Sequence, residues 1–287
     1  MEQGILTIGG IRSPVLRAGD GASEHAVVFV HGNPGSSRDW LDLLKQVAPF
    51  SRALAVDMPG FGQADKPADF DYTVAGYAKH LDRILVAEGI RRVHLVLHDF
   101  GGPWGLTWAA GHADQVASVT LINIGILPGY RWHYLARIWR LPLLGNLFMA
   151  ITTRAAMSVV LRHGNPRGLP QDYFDEMYSN YDSGTRRAIL KLYRNTGDLD
   201  AMADSQAGKL APHRFPALVV WGTCDPYLPA RFAEVQRQFF AVDRVVRLED
   251  SGHWPMIDNP VAVAEAVVPF LRARVASEER TAAPLSA

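Results

Sequence analysis

Short apolar runs that do not alternate with polar residues limit the folds open to this chain of 287 residues more than any other feature. The runs are rich in β-branched residues, so we expect strands that are covered on both faces, as in a parallel sheet. The segments between them have the apolar periodicity of helices, and this alternation predicts an α/β fold with a mostly parallel sheet flanked by helices. The predicted strands are 26–30, 52–56, 93–97, 119–122 and 217–221, and the predicted helices are 40–47, 74–87, 102–113, 230–240 and 261–274.

The stretch from Pro128 to about Pro212 interrupts this alternation. It has no strand-like run and carries helical patterns such as TTRAAMSVVLRHG and SGTRRAILKLYRN. A helical segment inserted between two strands of a sheet is expected to form a cap over the core. We therefore predict an α/β core of residues 1–127 and 213–276, a helical cap of residues 128–212, and an unordered tail at 277–287.

The charge balance favours a small neutral ligand over a polyanion. The sequence has 29 Lys and Arg against 29 Asp and Glu, so its net charge favours neither nucleic acid nor an anionic membrane surface as a partner. Apolar stretches such as 116–127 fall short of the ~20 residues that a membrane span needs. The lone Cys224 and the lack of a signal-peptide pattern in MEQGILTIGG predict a cytoplasmic protein. The apolar segment 141–151 could line a ligand tunnel or form a homodimer contact, although packing against the core is the commoner role.

Three turns that follow predicted strands contain the candidate catalytic residues. Asp99 lies in the motif HDFGG, which joins the strand 93–97 to a helix and so has the context of a nucleophile elbow. Asp225 follows the strand 217–221, and His253 follows the apolar run RVVRL. The carboxyl ends of parallel strands meet at one edge of a sheet, so these side chains are expected to converge there.

Five motifs in this order resemble those of the α/β-hydrolase fold, in its aspartate-nucleophile branch of epoxide hydrolases and haloalkane dehalogenases. They are HGNP at 31–34, DMPGFG at 57–62 followed by DKP, HDFGG at 98–102, WGTCDP at 221–226 and SGHWP at 251–255. The resemblance covers about residues 4–275. It implies that Asp99 is the nucleophile, His253 the general base and Asp225 the acid that orients the histidine.

Each of these assignments has a structural alternative. An aspartate after a strand is more often a cap for the next helix, and Asp250 and Asp258 compete with Asp225 for the role of the acid. In some dehalogenases the acid follows the strand that is 119–122 here, but this chain has Asn123 at that place. The other two motif histidines, His31 and His98, are expected to be structural.

An aspartate nucleophile limits the kinds of substrate that the site can attack. Its attack on an ester or amide would form a high-energy anhydride, whereas its attack on a saturated carbon that bears a leaving group forms an alkyl ester. Epoxides and alkyl halides therefore fit Asp99. His253 would then activate the water that hydrolyses this ester, and by resemblance the backbone N–H groups of Asn33 and Phe100 would form the oxyanion hole.

The leaving group separates the two activities. Haloalkane dehalogenases carry a tryptophan directly after the nucleophile to bind the halide, but this chain has Phe100 there, while Asn33 matches their second halide ligand. Tyr193, in LYRN, matches the late cap tyrosine of epoxide hydrolases, which protonates the epoxide oxygen.

The prediction is therefore an epoxide hydrolase that forms a vicinal diol through an ester on Asp99. A haloalkane dehalogenase is the alternative, and a non-catalytic ligand-binding protein on the same scaffold is a third possibility. We expect a small apolar epoxide as the substrate, without a cofactor or metal. A second cap tyrosine is not evident, so the second proton donor is left open among Tyr130, His133, Tyr134, Tyr173, Tyr178 and Tyr181.

Overall fold

The computed structural model describes residues 1–282 and contains an eight-stranded sheet. Its strands are β1 (Glu2–Ile8), β2 (Ile11–Ala18), β3 (His25–Val30), β4 (Arg52–Val56), β5 (Arg92–His98), β6 (Val116–Ile122), β7 (Pro216–Gly222) and β8 (Ala241–Leu248). They lie in the order β1-β2-β4-β3-β5-β6-β7-β8, and all neighbours are parallel except β1 with β2 and β2 with β4. The mostly parallel α/β sheet predicted from the sequence is confirmed.

The five predicted strands are present as β3 to β7, and the run RVVRL lies in β8. The sequence analysis missed β1 and β2. Most residues of β1 are exposed or half-buried, so the strand lacks a continuous apolar run. Pro14 lies inside β2, and a proline normally argues against a strand because it has no N–H to donate.

Helices cover the sheet and fill the predicted insertion. They are α1 (Leu41–Val47), α2 (Val74–Ala87), α3 (Gly101–Ala109), α4 (Tyr134–Arg140), α5 (Pro142–Ile151), α6 (Arg154–Gly164), α7 (Gln171–Ser179), α8 (Ser183–Asn195), α9 (Leu199–Leu210), α10 (Arg231–Val235), α11 (Pro255–Asp258) and α12 (Pro260–Ala282). The predicted helix 230–240 is shorter than expected, because α10 ends at Val235 and a 3-10 turn follows.

The unordered tail was predicted to begin too early. Residues 277–282 belong to α12, and the Glu278 carboxylate forms an ion pair with Arg92 at 2.7 Å. This pair links the end of the helix to the start of β5. Residues 283–287 lie outside the described residues.

The six helices α4 to α9 lie between β6 and β7 in the chain, where the cap was predicted. Hydrogen bonds and ion pairs connect them to the core. The Tyr173 hydroxyl donates to Asp39 Oδ1 at 2.9 Å, and Lys66 Nζ lies 3.0 Å from Asp182 Oδ2. That these helices form a separate domain remains a prediction.

The apolar segment 141–151, which forms α5 and the residue before it, packs only in part. Met149 is buried, but Leu143, Leu144 and Leu147 are exposed. The expectation that this segment packs against the core is therefore wrong for one face of the helix. Within residues 1–282, no single helix is long and apolar enough to cross a membrane; α5 and α6 meet that criterion only as a pair, which is bent by 106°.

Candidate active site

A sharp turn at Asp99 joins β5 to α3 and places the carboxylate at the carboxyl edge of the sheet. Asp99 has a φ of +46°, a left-handed conformation that is strained for a residue with a side chain. Close packing surrounds the turn. A Cβ on Gly101 would lie 2.2 Å from the Val30 carbonyl oxygen, and one on Gly102 would lie 2.2 Å from Ile124 Cγ1. The strand, turn and helix that HDFGG predicted are present.

We expect Gly101→Ala to lower the free energy of unfolding by about 3 kcal/mol, because the added methyl group overlaps a carbonyl oxygen that β3 holds in place. Gly208→Ala is the matched control. Gly208 lies in α9 with no other group within 4 Å of its added Cβ, so alanine should raise stability by about 1 kcal/mol through helix propensity. Urea unfolding midpoints measure both changes, and equal stability of the two variants would contradict the close approach at the elbow.

Asp99, His253 and Asp225 form a connected chain of side chains. His253 Nε2 lies 3.5 Å from Asp99 Oδ2, and His253 Nδ1 lies 2.7 Å from Asp225 Oδ2. The three residues follow β5, β8 and β7 respectively, so the parallel sheet brings their side chains to one edge. The geometry is that of a nucleophile, a base and an orienting acid.

The structure also distinguishes Asp225 from Asp250 and Asp258, the two alternative candidates for the orienting acid. The second oxygen of Asp225, Oδ1, accepts two backbone N–H groups of its own turn, at 2.8 and 3.1 Å. Asp250 forms an ion pair with Arg167, and Asp258 Oδ2 accepts the N–H of Gly252 at 2.7 Å. Asp225 is therefore the carboxylate that contacts the His253 ring.

Asn123 has a supporting role that the sequence analysis missed. Its Nδ2 donates to Asp225 Oδ2 at 2.8 Å, and its Oδ1 accepts the N–H of Gly222 at 2.8 Å. Its φ of +46° turns the side chain at the end of β6 toward the loop after β7. The signal in the sequence was a polar residue directly after a buried strand, which does not reveal what that residue contacts.

The motif histidines His31 and His98 are structural, as expected. His98 Nε2 donates to the backbone carbonyl of His253 at 2.7 Å, which fixes the loop that carries His253. His31 Nδ1 donates to the Gly32 carbonyl at 2.8 Å, and its Nε2 accepts the N–H of Met58 at 2.9 Å. Burial lowers the pKa of both rings, so they are neutral.

The electrostatics of the triad favour charge separation between Asp99 and His253. Burial opposes both charges, but it is outweighed by the mutual attraction and hydrogen bonding of these groups. The pKa of Asp99 is therefore lowered, so its side chain is ionised. The pKa of His253 is raised by the two carboxylates of Asp225 and Asp99.

The backbone N–H of Asn33 donates to Asp99 Oδ1 at 2.7 Å. This donor is already in contact with the oxygen on which charge would develop during ester hydrolysis, which is the arrangement of an oxyanion hole. Phe100 follows Asp99 directly and packs its ring edge-on to Tyr193, with 5.0 Å between ring centroids. The role of the Phe100 N–H stays a prediction.

The Tyr193 hydroxyl lies between two nitrogen donors. Asn33 Nδ2 is 3.3 Å from this oxygen, and His133 Nε2 is 3.4 Å from it. Burial and then the charge of Asp99 raise the pKa of Tyr193, so the phenol keeps its proton.

His133 is held in one tautomer. Its Nδ1 accepts the N–H of Ala136 as the N-cap of α4, so the ring proton is on Nε2 and points to Tyr193. Burial lowers the pKa of His133 to about 4, which keeps the ring neutral. Among the residues left open as a second donor, His133 is the one that contacts Tyr193.

The five tyrosines that the sequence analysis left open as a second proton donor make contacts other than with the Tyr193 hydroxyl. The hydroxyl groups of Tyr130, Tyr173 and Tyr181 donate to the Tyr227 carbonyl, Asp39 and Met149 Sδ respectively. Tyr134 is exposed, and Tyr178 stacks on Phe174. Of these five residues, Tyr130 and Tyr181 line the apolar cavities described below.

The family model for the α/β-hydrolase fold matches residues 25–260. The chain is 28% identical to a haloalkane dehalogenase of Mesorhizobium japonicum, over 88% of this chain and 85% of that protein. It is also 28% identical to a cis-3-alkyl-4-alkyloxetan-2-one decarboxylase of Xanthomonas campestris, over 91% of this chain and 93% of that protein.

Solved structures with the same fold include a protein named for each of the two predicted activities. Haloalkane dehalogenase DbeA from Bradyrhizobium elkani has a TM-score of 0.82 at 22% identity, with 96% of this chain and 99% of that chain covered. The epoxide hydrolase CorEH has a TM-score of 0.79 at 17% identity, with 95% of this chain and 99% of that chain covered. At these identities the likeness shows the fold alone. The family match over most of the chain, with the sheet and the elbow at Asp99, shows that this protein belongs to the α/β-hydrolase fold family.

Proposed function

We propose that the protein is an epoxide hydrolase that converts an epoxide and water to a vicinal diol through an ester on Asp99. The observation that carries this proposal is the hydrogen bonding of Tyr193. Its oxygen is within reach of N–H donors from Asn33 and His133, so both can donate to it and its own O–H is left to donate to a substrate. An epoxide needs such a proton because its oxygen leaves as a basic alkoxide.

In the first step, Asp99 Oδ2 attacks a ring carbon of the epoxide. Oδ1 stays with the N–H of Asn33, so Oδ2, which faces His253 Nε2 at 3.5 Å, is the oxygen that reacts. The new bond joins this oxygen to carbon, the carbon–oxygen bond of the ring breaks, and its electron pair moves to the epoxide oxygen. That oxygen takes the proton of Tyr193. The N–H groups of Asn33 and His133 then stabilise the phenolate.

In the second step, His253 takes a proton from water and the hydroxide attacks the ester carbonyl. Ester formation has removed the charge of Asp99, one of the two carboxylates that raise the pKa of His253. The ring therefore loses its proton more readily; this proton passes to the Tyr193 phenolate, and the neutral ring becomes a base. The N–H of Asn33 stabilises the oxyanion on Oδ1. The bond between the ester carbonyl carbon and Oδ2 then breaks, so that Oδ2 leaves with the substrate as an alkoxide. One proton of the water has returned His253 to its protonated state, and the other reaches this alkoxide.

A haloalkane dehalogenase is the second candidate, and two observations favour it. A relative with that name aligns over 88% of the chain, and Asn33, which has a side-chain N–H donor that could bind a departing halide, lines the same cavity as Asp99. The same Asp99, His253 and Asp225 serve both reactions. The difference is that a halide leaves without a proton, so the reaction would not need the O–H of Tyr193.

A paired substrate screen tests the proposal. Purified protein is given a series of alkyl epoxides, a series of chloro- and bromoalkanes, and a cis-3,4-dialkyl oxetan-2-one. We expect diol formation that exceeds halide release and lactone loss by at least about tenfold in kcat/KM. Halide release without diol formation would replace the proposal with the second candidate, and loss of all activity in Asp99→Asn is the control for every positive result.

A further inference from the structure

We propose that the preferred substrate carries two apolar arms, one on each carbon of the reacting ring, and that each arm occupies its own cavity on either side of Asp99. This inference rests on the proposed function and names the substrate class of the same site. An epoxide with an arm on both carbons differs from a terminal epoxide, in which one carbon carries only hydrogen.

The first cavity lies beneath the cap helices. Its wall away from the triad consists of apolar and aromatic side chains from α4, α5, α6 and α8. Thr152 contributes a hydroxyl, but this group donates to the Phe148 carbonyl at 2.7 Å and is already satisfied. The cavity therefore suits a hydrocarbon arm. The apolar lining includes Leu135, Trp139, Met157, Val160, Leu161 and Ile189.

The second cavity is of similar size and lies between α3, the loop after β6, and α9. Apart from Asp99, His133, Tyr193 and Tyr227, the hydroxyl and amide side chains that line it are Tyr130, Thr196 and Gln206, and each has a partner within the protein. The Tyr130 hydroxyl donates to the Tyr227 carbonyl at 3.1 Å. Gln206 Nε2 donates to the Pro103 carbonyl and to Thr107 Oγ1, and the Thr196 hydroxyl donates to the Leu192 carbonyl. The remaining lining is largely apolar and includes Ile124, Leu127, Trp132, Leu199, Met202 and Ala203.

The two cavities meet at the reacting groups. Asp99, His133, Tyr193 and Tyr227 line both of them. A ring carbon in contact with Asp99 therefore has apolar space on two sides. Tyr193 lies at the same junction, where it can reach the ring oxygen between the two carbons. A substrate with one arm leaves one of these apolar spaces without hydrocarbon, whereas a substrate with two arms fills both.

Filling one cavity at a time tests this arrangement. Val160→Trp fills the first cavity and Met202→Trp fills the second; both residues are half-buried, so the larger side chain can be accommodated. The matched controls are Val159→Trp and Ala201→Trp, at exposed neighbouring positions on the same helices. Each protein is assayed with a cis-dibutyl epoxide and with a monobutyl epoxide.

We expect each filling variant to lower kcat/KM for the dibutyl epoxide by about tenfold or more, because either change removes the space for one arm. Turnover of the monobutyl epoxide should fall by less than about threefold in each single variant, since its arm can use the other cavity, and should fall by about tenfold or more only in the double variant. The control variants should match the wild type with both substrates.

Two results would overturn the inference. One is an equal loss of kcat/KM for both epoxides in each single variant, and the other is an unchanged kcat/KM for the dibutyl epoxide in either single variant. Failure of the proposed function is a separate outcome, seen when the wild type releases halide but opens neither epoxide. The same variants are then assayed with a mid-chain secondary bromoalkane and a primary bromoalkane. The two-arm inference predicts the same contrast there, and its absence would overturn it.

Discussion

His253→Gln is expected to stop the reaction after its first step, with the opened epoxide held as an ester on Asp99. The attack by Asp99 Oδ2 does not need His253 to accept a proton, whereas hydrolysis of the ester does. The glutamine side chain cannot act as a base at this position. Steady-state turnover should fall by about a thousandfold or more, while one equivalent of epoxide per protein is still consumed.

Intact-protein mass spectrometry measures this result as a mass gain equal to that of the epoxide, and digestion should place the gain in the peptide that contains Asp99. The double variant Asp99→Asn with His253→Gln is the control and should gain no mass. Thermal unfolding followed by circular dichroism checks that both variants are folded. A folded His253→Gln variant that consumes no epoxide, or that gains mass elsewhere, would contradict a covalent ester on Asp99.

The second large effect is expected from Tyr193→Phe, which removes one hydroxyl group. Turnover of epoxides should fall by about a hundredfold or more, because the opening ring loses its proton donor. Any halide release by the same variant should stay within about threefold of the wild type, since a halide leaves without a proton. The ratio of the two activities is the measurement, and it separates loss of the proton donor from a general loss of activity.

Tyr181→Phe is the matched control for this variant. Tyr181 lines the first cavity, but its hydroxyl donates to Met149 Sδ at 2.8 Å and its removal should change epoxide turnover by less than about threefold. If Tyr193→Phe keeps full epoxide turnover, Tyr193 is not the proton donor. His133, whose Nε2–H points to the same junction, would then be the next group to replace.

Local sequence patterns predicted much of the fold for a simple reason. A strand covered on both faces must be apolar along its whole length, so β3 to β7 were visible as continuous runs. β1 and β2 do not have this property, because β1 is largely exposed and β2 contains Pro14. The end of α12 was missed because the ion pair of Glu278 with Arg92 joins residues that are far apart in the chain.

The site residues also include some that local sequence patterns could predict and some that they could not. Asp99, Asp225 and His253 could be found from the sequence because each follows a strand directly, and parallel strands bring such residues to one edge. Only the resemblance of the WGTCDP motif favoured Asp225 over Asp250, which follows the next strand closely. The difference lies in partners: Asp225 reaches the His253 ring, and Asp250 pairs with Arg167.

The sequence by itself therefore determined the alternation of strands and helices, the elbow at Asp99 and the order of the triad, because these follow from short-range periodicity and from the connection of each strand to its turn. The tertiary structure alone decided which groups surround the Tyr193 hydroxyl and how two cavities meet at Asp99. Asn33, His133 and Tyr193 come from separate parts of the chain, and such contacts arise only when the helices between β6 and β7 pack onto the edge of the sheet.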